Sequence, residues 1–252
     1  MLTIAINSAT QQTSVALLEG QKILGENSWP SKKNEAEKIM PNLLSLLKKS
    51  KKTFKNVENI FVVEGPGPFT GLRVGVTIAN TLFWSIESLK NEDIQKITNF
   101  KDAKKIKPPK LSKPEKVKIS KMNVFEFLRQ RLPASCKENT AIMIKAGGEF
   151  VAIRFPNEKK EKLLTIDEAI LQLKKAKTQY VFFEAKLDDF KSFQKFSKKL
   201  LPKLHYISEK KLHTFGKTVL QFLKNSKPMT QIIKPLYLQK PHITKSKKPS
   251  FV

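Results

Sequence analysis

The sequence predicts an α/β protein in two halves, each of which mixes strands with helices. The first half opens with three short β-prone runs separated by polar turns, which is typical of a three-stranded meander. Two segments with apolar residues at helical spacing follow, and a fourth strand lies between them, so the order is βββαβα. The predicted strands are 2–7, 13–19, 22–28 and 59–63, and the predicted helices are 34–49 and 70–86.

The second half follows residues 98–115, a lysine- and proline-rich stretch with few apolar residues, which is typical of a linker. Its strongest signal is a hairpin over 140–155 that turns at Gly147-Gly148. The other predicted strands are 116–120, 180–184 and 203–208, and the predicted helices are 123–132, 165–175, 188–200 and 210–224. We therefore predict an N-terminal lobe at 1–97, the linker at 98–115, a C-terminal lobe at 116–225, and a tail at 226–252 with a disordered end.

The charge is strongly positive, with 48 Lys and Arg against 22 Asp and Glu on 252 residues, a formal net charge of +26. Only four of the cations are arginines, Arg73, Arg129, Arg131 and Arg154. Because sites that grip phosphates favour the bidentate guanidinium, the lysine excess is as typical of a solvated surface as of a nucleic-acid site.

Several classes of protein are not expected from the remaining composition. The single cysteine, Cys136, excludes an internal disulfide and a CxxC pair. The three histidines are too far apart in sequence for a pair on one helix face. The start lacks a basic region before its apolar stretch, and no apolar run approaches the ~18 residues of a membrane span. We expect a cytoplasmic protein without a bound metal.

Residues 64–75, EGPGPFTGLRVG, are unusual for an ordinary core. Alternating glycine and proline after a strand predict a rigid loop, with Thr70 placed to cap the following helix. Such a helix start can bind an anion, although the Gly-Lys-Ser/Thr of a phosphate-binding P-loop is missing. A loop without a ligand is the other interpretation.

No catalytic set assembles from the sequence. The neighbouring acids Asp167-Glu168 and Asp188-Asp189 fall at predicted helix starts, where carboxylates favour the helix dipole. Ser8, Ser14 and Cys136 have no histidine partner that the sequence reveals. We therefore expect no catalytic residue.

The helices at 34–49 and 70–86 spread apolar side chains more widely than one sheet face covers. This surplus predicts either a protein partner or burial of the two helices against each other.

The segment at 64–82, EGPGPFTGLRVGVTIANTL, resembles the GxGPGSFTGLRIG signature of the TsaB (YeaZ) family. Further similarities occur in the order of that family. They are LTIAINSATQQTSVALLEG with the opening strands, NEAEKIMPNLLSLL with the first helix, IMIKAGGEFVAIRF with a DARRGEVYxxxF hairpin, and IIKPLYLQ with the terminal P-x-YLR.

The resemblance implies the actin-like ATPase (ASKHA, RNase H-like) fold in two lobes. It implies a non-catalytic scaffold that binds TsaD in forming N6-threonylcarbamoyladenosine at position 37 of tRNA. The chain alone would bind no cofactor, and the TsaD-like partner would carry ATP, magnesium and a metal. A TsaE-like ATPase would be a further partner, and tRNA contact would be weak or indirect. A homodimer through the helices at 34–49 and 70–86, when the TsaD-like partner is absent, is compatible with this interpretation.

The carried-over residues fall into two sets. The signature loop comprises Gly65, Pro66, Gly67, Phe69, Thr70, Gly71, Arg73 and Gly75. The partner interface comprises Ala36, Ile39, Met40, Leu43, Leu47, Val76, Ala79, Leu82 and Phe83.

The chain departs from the family pattern at several positions. Asn7 stands where the first strand usually ends in Asp, and an amide is a poorer ligand for a hard cation. Pro68 replaces a Ser in the loop, beside the charge of Glu64. The hairpin and tail differ at Lys145, Gly147, Gly148 and Gln239. The alternative function is an autonomous actin-like ATPase or a metallopeptidase-like hydrolase, which would need a divalent-metal site.

Overall fold

The first sheet has five strands in the order β3-β2-β1-β4-β5. In this computed structural model, residues 1–32, 34–98, 116–147, 149–176, 178–184, 191–194, 204–208, 212–225, 228–229 and 231–237 are described. The strand β1 pairs antiparallel with β2 and parallel with β4, and β2 and β3 pair antiparallel while β4 and β5 pair parallel. The strands are β1 (Leu2–Asn7), β2 (Gln12–Glu19), β3 (Lys22–Pro30), β4 (Val57–Gly65) and β5 (Lys118–Asn123).

Four helices cover this sheet. On one side α1 (Glu35–Lys49) and α2 (Phe69–Thr98) lie next to each other. On the other side α3 (Val124–Arg131) and α6 (Phe215–Leu223) contact each other. The ring of Phe61 in β4 lies 6.3 Å from that of Phe215 and 5.4 Å from that of Phe222, so α6 packs directly on the first sheet.

The second sheet also has five strands, in the order β10-β9-β6-β7-β8. Here β6 pairs antiparallel with β7 and parallel with β9, as β1 does with β2 and β4. The strands are β6 (Thr140–Gly147), β7 (Phe150–Arg154), β8 (Lys162–Thr165), β9 (Tyr180–Glu184) and β10 (His205–Tyr206). The short helix α4 (Ala134–Lys137) precedes this sheet, and α5 (Ile166–Lys175) packs on β7 and β8. Both sheets therefore repeat one arrangement, although the sequence shows no repeat.

The core is continuous between the two lobes. One face of the second sheet, with Ile142, Ile144, Ala152 and Phe182, belongs to the same apolar cluster as the whole first sheet. The opposite face packs against α5 in a smaller cluster. No helix in the described ranges is long and apolar enough to cross a bilayer.

The predicted division into lobes at 1–97 and 116–225 is wrong at both ends of the second segment. The strand β5, placed in the C-terminal lobe, is the fifth strand of the first sheet, and α6 packs on β2 and β3. Parallel pairing and helix docking join residues that are distant in sequence, so local patterns do not reveal them.

Other predicted elements are confirmed with shifted ends. The strand at 180–184 is confirmed, and α2 begins at Phe69 and continues to Thr98. The strand β8 was not predicted. Of the helix predicted at 188–200, only the helical residues 191–194 are described. Residues 99–115, Asp188-Asp189 and 238–252 lie outside the described residues, and so do Gly148 and Gln239.

We predict that Phe215→Ala lowers the free energy of unfolding by about 3–5 kcal/mol, because the buried ring contacts Phe61 and Phe127. Urea unfolding followed by circular dichroism measures this loss. The control is Phe150→Ala, which removes a ring that is 43% exposed and should cost less than about 1 kcal/mol. Equal losses in the two variants would contradict the docking of α6 on the first sheet.

Candidate functional site: the glycine loop and the outer surfaces of α1 and α2

The loop between β4 and α2 requires glycine where other backbone passes close to it. Gly65 has φ +111°, and a β-carbon there would lie 2.5 Å from the carbonyl oxygen of Leu236. At Gly67 a β-carbon would overlap the backbone of Ala9. A side chain at either position would push the loop away from its neighbour.

The first two turns of α2 lie directly on the turn between β1 and β2. A β-carbon at Gly71 would be 2.9 Å from the carbonyl oxygen of Ser8, and one at Gly75 would overlap the Ser8 hydroxyl. That hydroxyl is buried and has no hydrogen-bond partner among the described residues. Ser8 is therefore packed against the helix and is not placed to act as a nucleophile.

Asn7 uses its whole side-chain amide to close the β1–β2 turn. Its Nδ2 donates to Thr10 Oγ1 at 2.8 Å and to the carbonyl oxygen of Gln12 at 3.2 Å, and its Oδ1 accepts from the amide of Ala9 at 3.1 Å. The residue is 1% exposed. A carboxylate cannot donate the two hydrogen bonds, so this turn depends on an asparagine at position 7.

Two carboxylates of the chain itself occupy the positions around this turn that would attract an anion. Glu184, at the end of β9 in the second lobe, accepts a 2.5 Å hydrogen bond from the amide of Gln11. Glu35 is 2% exposed, accepts from the Ser31 hydroxyl, and lies beside Gly71 in the first turn of α2. The positive end of a helix dipole favours such a carboxylate, so the predicted anion position at the start of α2 already faces a negative group.

Met229 and residues 231–237, which we call the C-terminal strap, lie between β5 and the start of α2. Met229 forms an antiparallel bridge with Ile119 in β5. The amide of Leu236 donates to the carbonyl oxygen of Glu64 at 2.8 Å. Asn80 of α2 exchanges two hydrogen bonds, of 2.8 and 2.9 Å, with the backbone of Ile233. The strap thereby fixes one side of α2.

At the end of the strap, two rings and a guanidinium form a partly exposed cluster. The rings of Phe69 and Tyr237 lie 4.9 Å apart, and the guanidinium of Arg73 lies 4.0 Å from the centre of the Phe69 ring. The Arg73 Nε donates to the Tyr237 hydroxyl at 3.1 Å. The sequence did not indicate that Tyr237 contacts the signature loop or that Asn80 contacts the strap, because both contacts join residues more than 150 positions apart.

The prediction that Thr70 caps α2 is wrong, because the helix begins one residue before it, at Phe69, and Thr70 lies in the first turn. Pro66 is buried, whereas Arg73 is exposed.

The predicted partner interface is wrong for seven of its nine residues. These seven side chains pack in the core of this chain and cannot also contact a partner, because sheet contacts already exclude solvent from them. The buried residues are Ile39, Leu43, Leu47, Val76, Ala79, Leu82 and Phe83. Only Ala36 and Met40 of the predicted set reach the surface.

The outer surfaces of α1 and α2 nevertheless carry apolar groups. Leu44 is 52% exposed and Trp84 is 61% exposed. No charged residue occurs between Arg73 and Glu87, so the exposed side of α2 over four turns is uncharged. Its exposed or half-buried residues are Val74, Thr77, Ile78, Thr81, Trp84 and Ser85. We call this surface, together with Met40 and Leu44, the α1–α2 face.

The acidic pair at 167–168 has a structural role. Thr165 caps α5, and its amide and hydroxyl donate to the Glu168 carboxylate, which lowers the pKa of Glu168. Among the described residues, no three His, Cys, Asp or Glu side chains are grouped so that they could hold a metal ion.

Comparison with known proteins connects this chain to threonylcarbamoyladenosine synthesis. Residues 23–89 match the family model described as TsaD: tRNA N6-adenosine threonylcarbamoyltransferase. The tRNA threonylcarbamoyladenosine biosynthesis protein TsaB of Bacillus subtilis is 36% identical over 87 residues, which are 34% of this chain and only 38% of that protein. The TsaB protein of Buchnera aphidicola is 25% identical over 230 residues, which cover 90% of this chain and 96% of that protein.

A solved structure supports the fold along nearly the whole chain. It is described as an uncharacterized protein with similarity to peptidase YeaZ from Pseudomonas aeruginosa. It covers 94% of this chain and 99% of its own, with a TM-score of 0.61 and 14% sequence identity. With the repeated sheet order, this confirms the predicted actin-like α/β fold of two mixed sheets flanked by helices.

We predict that Asn7→Asp lowers the free energy of unfolding by about 3 kcal/mol, because a buried charge replaces two hydrogen-bond donors of the turn. Thermal and urea unfolding at pH 7 measure the loss. The same amide-to-carboxylate change at the exposed Asn225 should cost less than about 0.5 kcal/mol. An Asn7→Asp protein as stable as the Asn225→Asp protein would show that the turn does not depend on these donors.

Proposed function

We propose that this chain, which is similar to tRNA threonylcarbamoyladenosine biosynthesis proteins named TsaB, is a non-catalytic subunit that binds and supports a TsaD-like protein. The complex would form N6-threonylcarbamoyladenosine at position 37 of tRNA. The observation that carries the proposal is the uncharged α1–α2 face on a chain with a net charge of +26.

The α1–α2 face suits a protein and not a nucleic acid. Leu44 and Trp84 are large apolar side chains left in solvent on neighbouring helices. Exposed tryptophan with apolar neighbours is typical of the central residues of protein interfaces. A polyphosphate backbone needs cations, and α2 offers none between Arg73 and Glu87. We assign this face to the TsaD-like protein.

The non-catalytic role is supported by the contacts of the β1–β2 turn. The Asn7 amide forms hydrogen bonds within the turn, Glu184 accepts from the Gln11 amide, and Glu35 lies beside the start of α2. Phosphate groups would meet two negative charges there, and a hard cation would meet an amide in place of a carboxylate. ATP, magnesium and a metal are accordingly assigned to the TsaD-like partner.

The remaining assembly follows from the same proposal. A TsaE-like ATPase would join the complex through the partner. The chain alone would form a homodimer through the α1–α2 face, since that surface is apolar and exposed without the partner. The complex would operate in the cytoplasm.

We predict that Leu44→Glu and Trp84→Ala each weaken binding of the TsaD-like protein from the same genome by tenfold or more, because each removes an apolar contact of the interface. A loss of about 2 kcal/mol at a central tryptophan corresponds to roughly thirtyfold. Biolayer interferometry with the immobilised partner measures the dissociation constants.

The matched control is Leu171→Glu on α5, which places the same charge on a leucine that is 58% exposed in the second lobe. It should bind the partner as the unchanged chain does. Binding of Leu44→Glu and Trp84→Ala that equals that of Leu171→Glu would remove the α1–α2 face from the interface. Glutamate at Leu43 or Leu82 does not test it, since both side chains are buried and the substitution would disrupt the core.

An autonomous ATPase or metallopeptidase-like hydrolase is the alternative, and nucleotide titration separates the two. We expect isothermal titration of the isolated chain with ATP and magnesium to give no heat of binding at up to about 1 mM ligand. The binding free energy would then be weaker than about −4 kcal/mol, which corresponds to a dissociation constant of about 1 mM. Dissociation constants in the micromolar range would contradict the non-catalytic role. The isolated TsaD-like partner serves as the positive control.

A further inference from the structure

We propose that the C-terminal strap and Arg73 form a contact for RNA phosphates, so that this subunit itself touches the tRNA. This inference rests on the proposed function, because it takes tRNA as the substrate of the complex. It concerns the start of α2 and the strap, residues that are not part of the α1–α2 face as defined, and its test measures tRNA binding separately from partner binding.

Arg73 is held in place before any ligand arrives. Its guanidinium lies over the Phe69 ring at 4.0 Å, and its Nε donates to the Tyr237 hydroxyl. No carboxylate lies within ion-pair distance of it among the described residues. The two terminal nitrogens therefore remain for an anion, and a guanidinium fixed in this way loses little entropy when it binds a phosphate in a bidentate manner.

Glu64, the acidic residue nearest to Phe69 and Arg73 in the sequence, forms an ion pair with Lys121. The strap residue Leu236 bonds to the backbone of Glu64, whose carboxylate accepts a 2.7 Å hydrogen bond from Lys121 in β5. This pairing leaves the end of the strap positive. A phosphate approaching Arg73 is thereby not repelled by Glu64.

The sequence from residue 210 onward, which includes the strap, contains no acidic residue. After Glu209, the last 43 residues include ten lysines and neither Asp nor Glu. Of these lysines, Lys217, Lys224 and Lys234 are exposed on α6, at its end and on the strap. Four more follow Tyr237 in the sequence. Of the three exposed lysines, Lys234 lies on the strap, whereas Lys217 and Lys224 belong to the other side of the first sheet, where α6 packs. A segment rich in lysine and free of acids is typical of chains that contact a nucleic-acid backbone.

The neighbouring rings favour RNA over an acidic protein as the ligand. Phe69 and Tyr237 are both half-buried, so part of each ring remains in solvent beside the guanidinium. Unstacked bases of RNA loops pack on aromatic and guanidinium planes. An arginine flanked by two rings and followed by lysines therefore combines a phosphate contact with a surface for a base.

The test measures binding of a fluorescein-labelled, unmodified tRNA transcript to the full-length chain by fluorescence anisotropy at several KCl concentrations. We expect Arg73→Gln to raise the dissociation constant about fivefold and to reduce the slope of log affinity against log salt by about 0.7–0.9, the loss of one phosphate contact. Tyr237→Phe keeps the ring but removes the acceptor for Nε, and should raise the dissociation constant about twofold. The matched control is Lys174→Gln, which removes one exposed charge from α5 and should leave the affinity within about 1.5-fold.

Each outcome decides the proposal. If Arg73→Gln changes the affinity and the slope no more than Lys174→Gln, the assigned contact is wrong. If Arg73→Gln leaves tRNA binding intact but abolishes binding of the TsaD-like protein, Arg73 belongs to a protein interface and the proposal is overturned. Thermal unfolding of each variant confirms that it is folded. If the unchanged chain binds tRNA but not the partner, the proposed function fails while the RNA contact stands.

Discussion

The close approach of α2 to the turn between β1 and β2 is the constraint on which the rest of the structure depends. It exists because Gly67, Gly71 and Gly75 present no side chain to residues 8 and 9. A helix held this close to the sheet has little freedom to slide, so its outer side points in one direction. The strap then adds a second fixed contact through Asn80 and Ile233. The position of every exposed group on α2 follows from these two contacts.

Groups of the chain itself fill the surroundings of the turn between β1 and β2. The turn closes on itself through Asn7, and carboxylates from α1 and from the second lobe lie beside it. Charge on this chain is segregated as a result. Glu184 accepts from a backbone amide and Glu35 from the Ser31 hydroxyl, both near the turn. The described C-terminal lysines, Lys217, Lys224 and Lys234, are exposed, and the residues of the α1–α2 face are uncharged.

Features governed by local spacing could be predicted from the sequence, and those governed by long-range contacts could not. The strand at 180–184 and the helix starting near Thr165 were predicted because apolar runs and capping residues are local signals. The place of β5 in the first sheet depends on its register with β4, which no local pattern contains.

Apolar residues of α1 and α2, such as Leu43 and Leu82, recur at helical spacing. That spacing marks the side of a helix that faces the core, and both side chains are buried there. The exposed Trp84 lies off that spacing, so the sequence did not identify it as a surface residue. Glu35 and Glu184 were missed because their roles arise from contacts between separate elements.

The return of α6 and the strap to the first lobe has a consequence for the order in which the molecule is made. A ribosome releases the first four strands and α1 and α2 long before Phe215 and Ile233. Until those residues emerge, the side of the first sheet that α6 covers is open, and α2 lacks its contacts with the strap. The first sheet and α2 therefore acquire their last contacts only after residues 215–233 have been synthesised, although β1 to β4 precede them in the chain. Truncation before Met229 would remove the strap contacts of α2 and keep every strand of the second sheet.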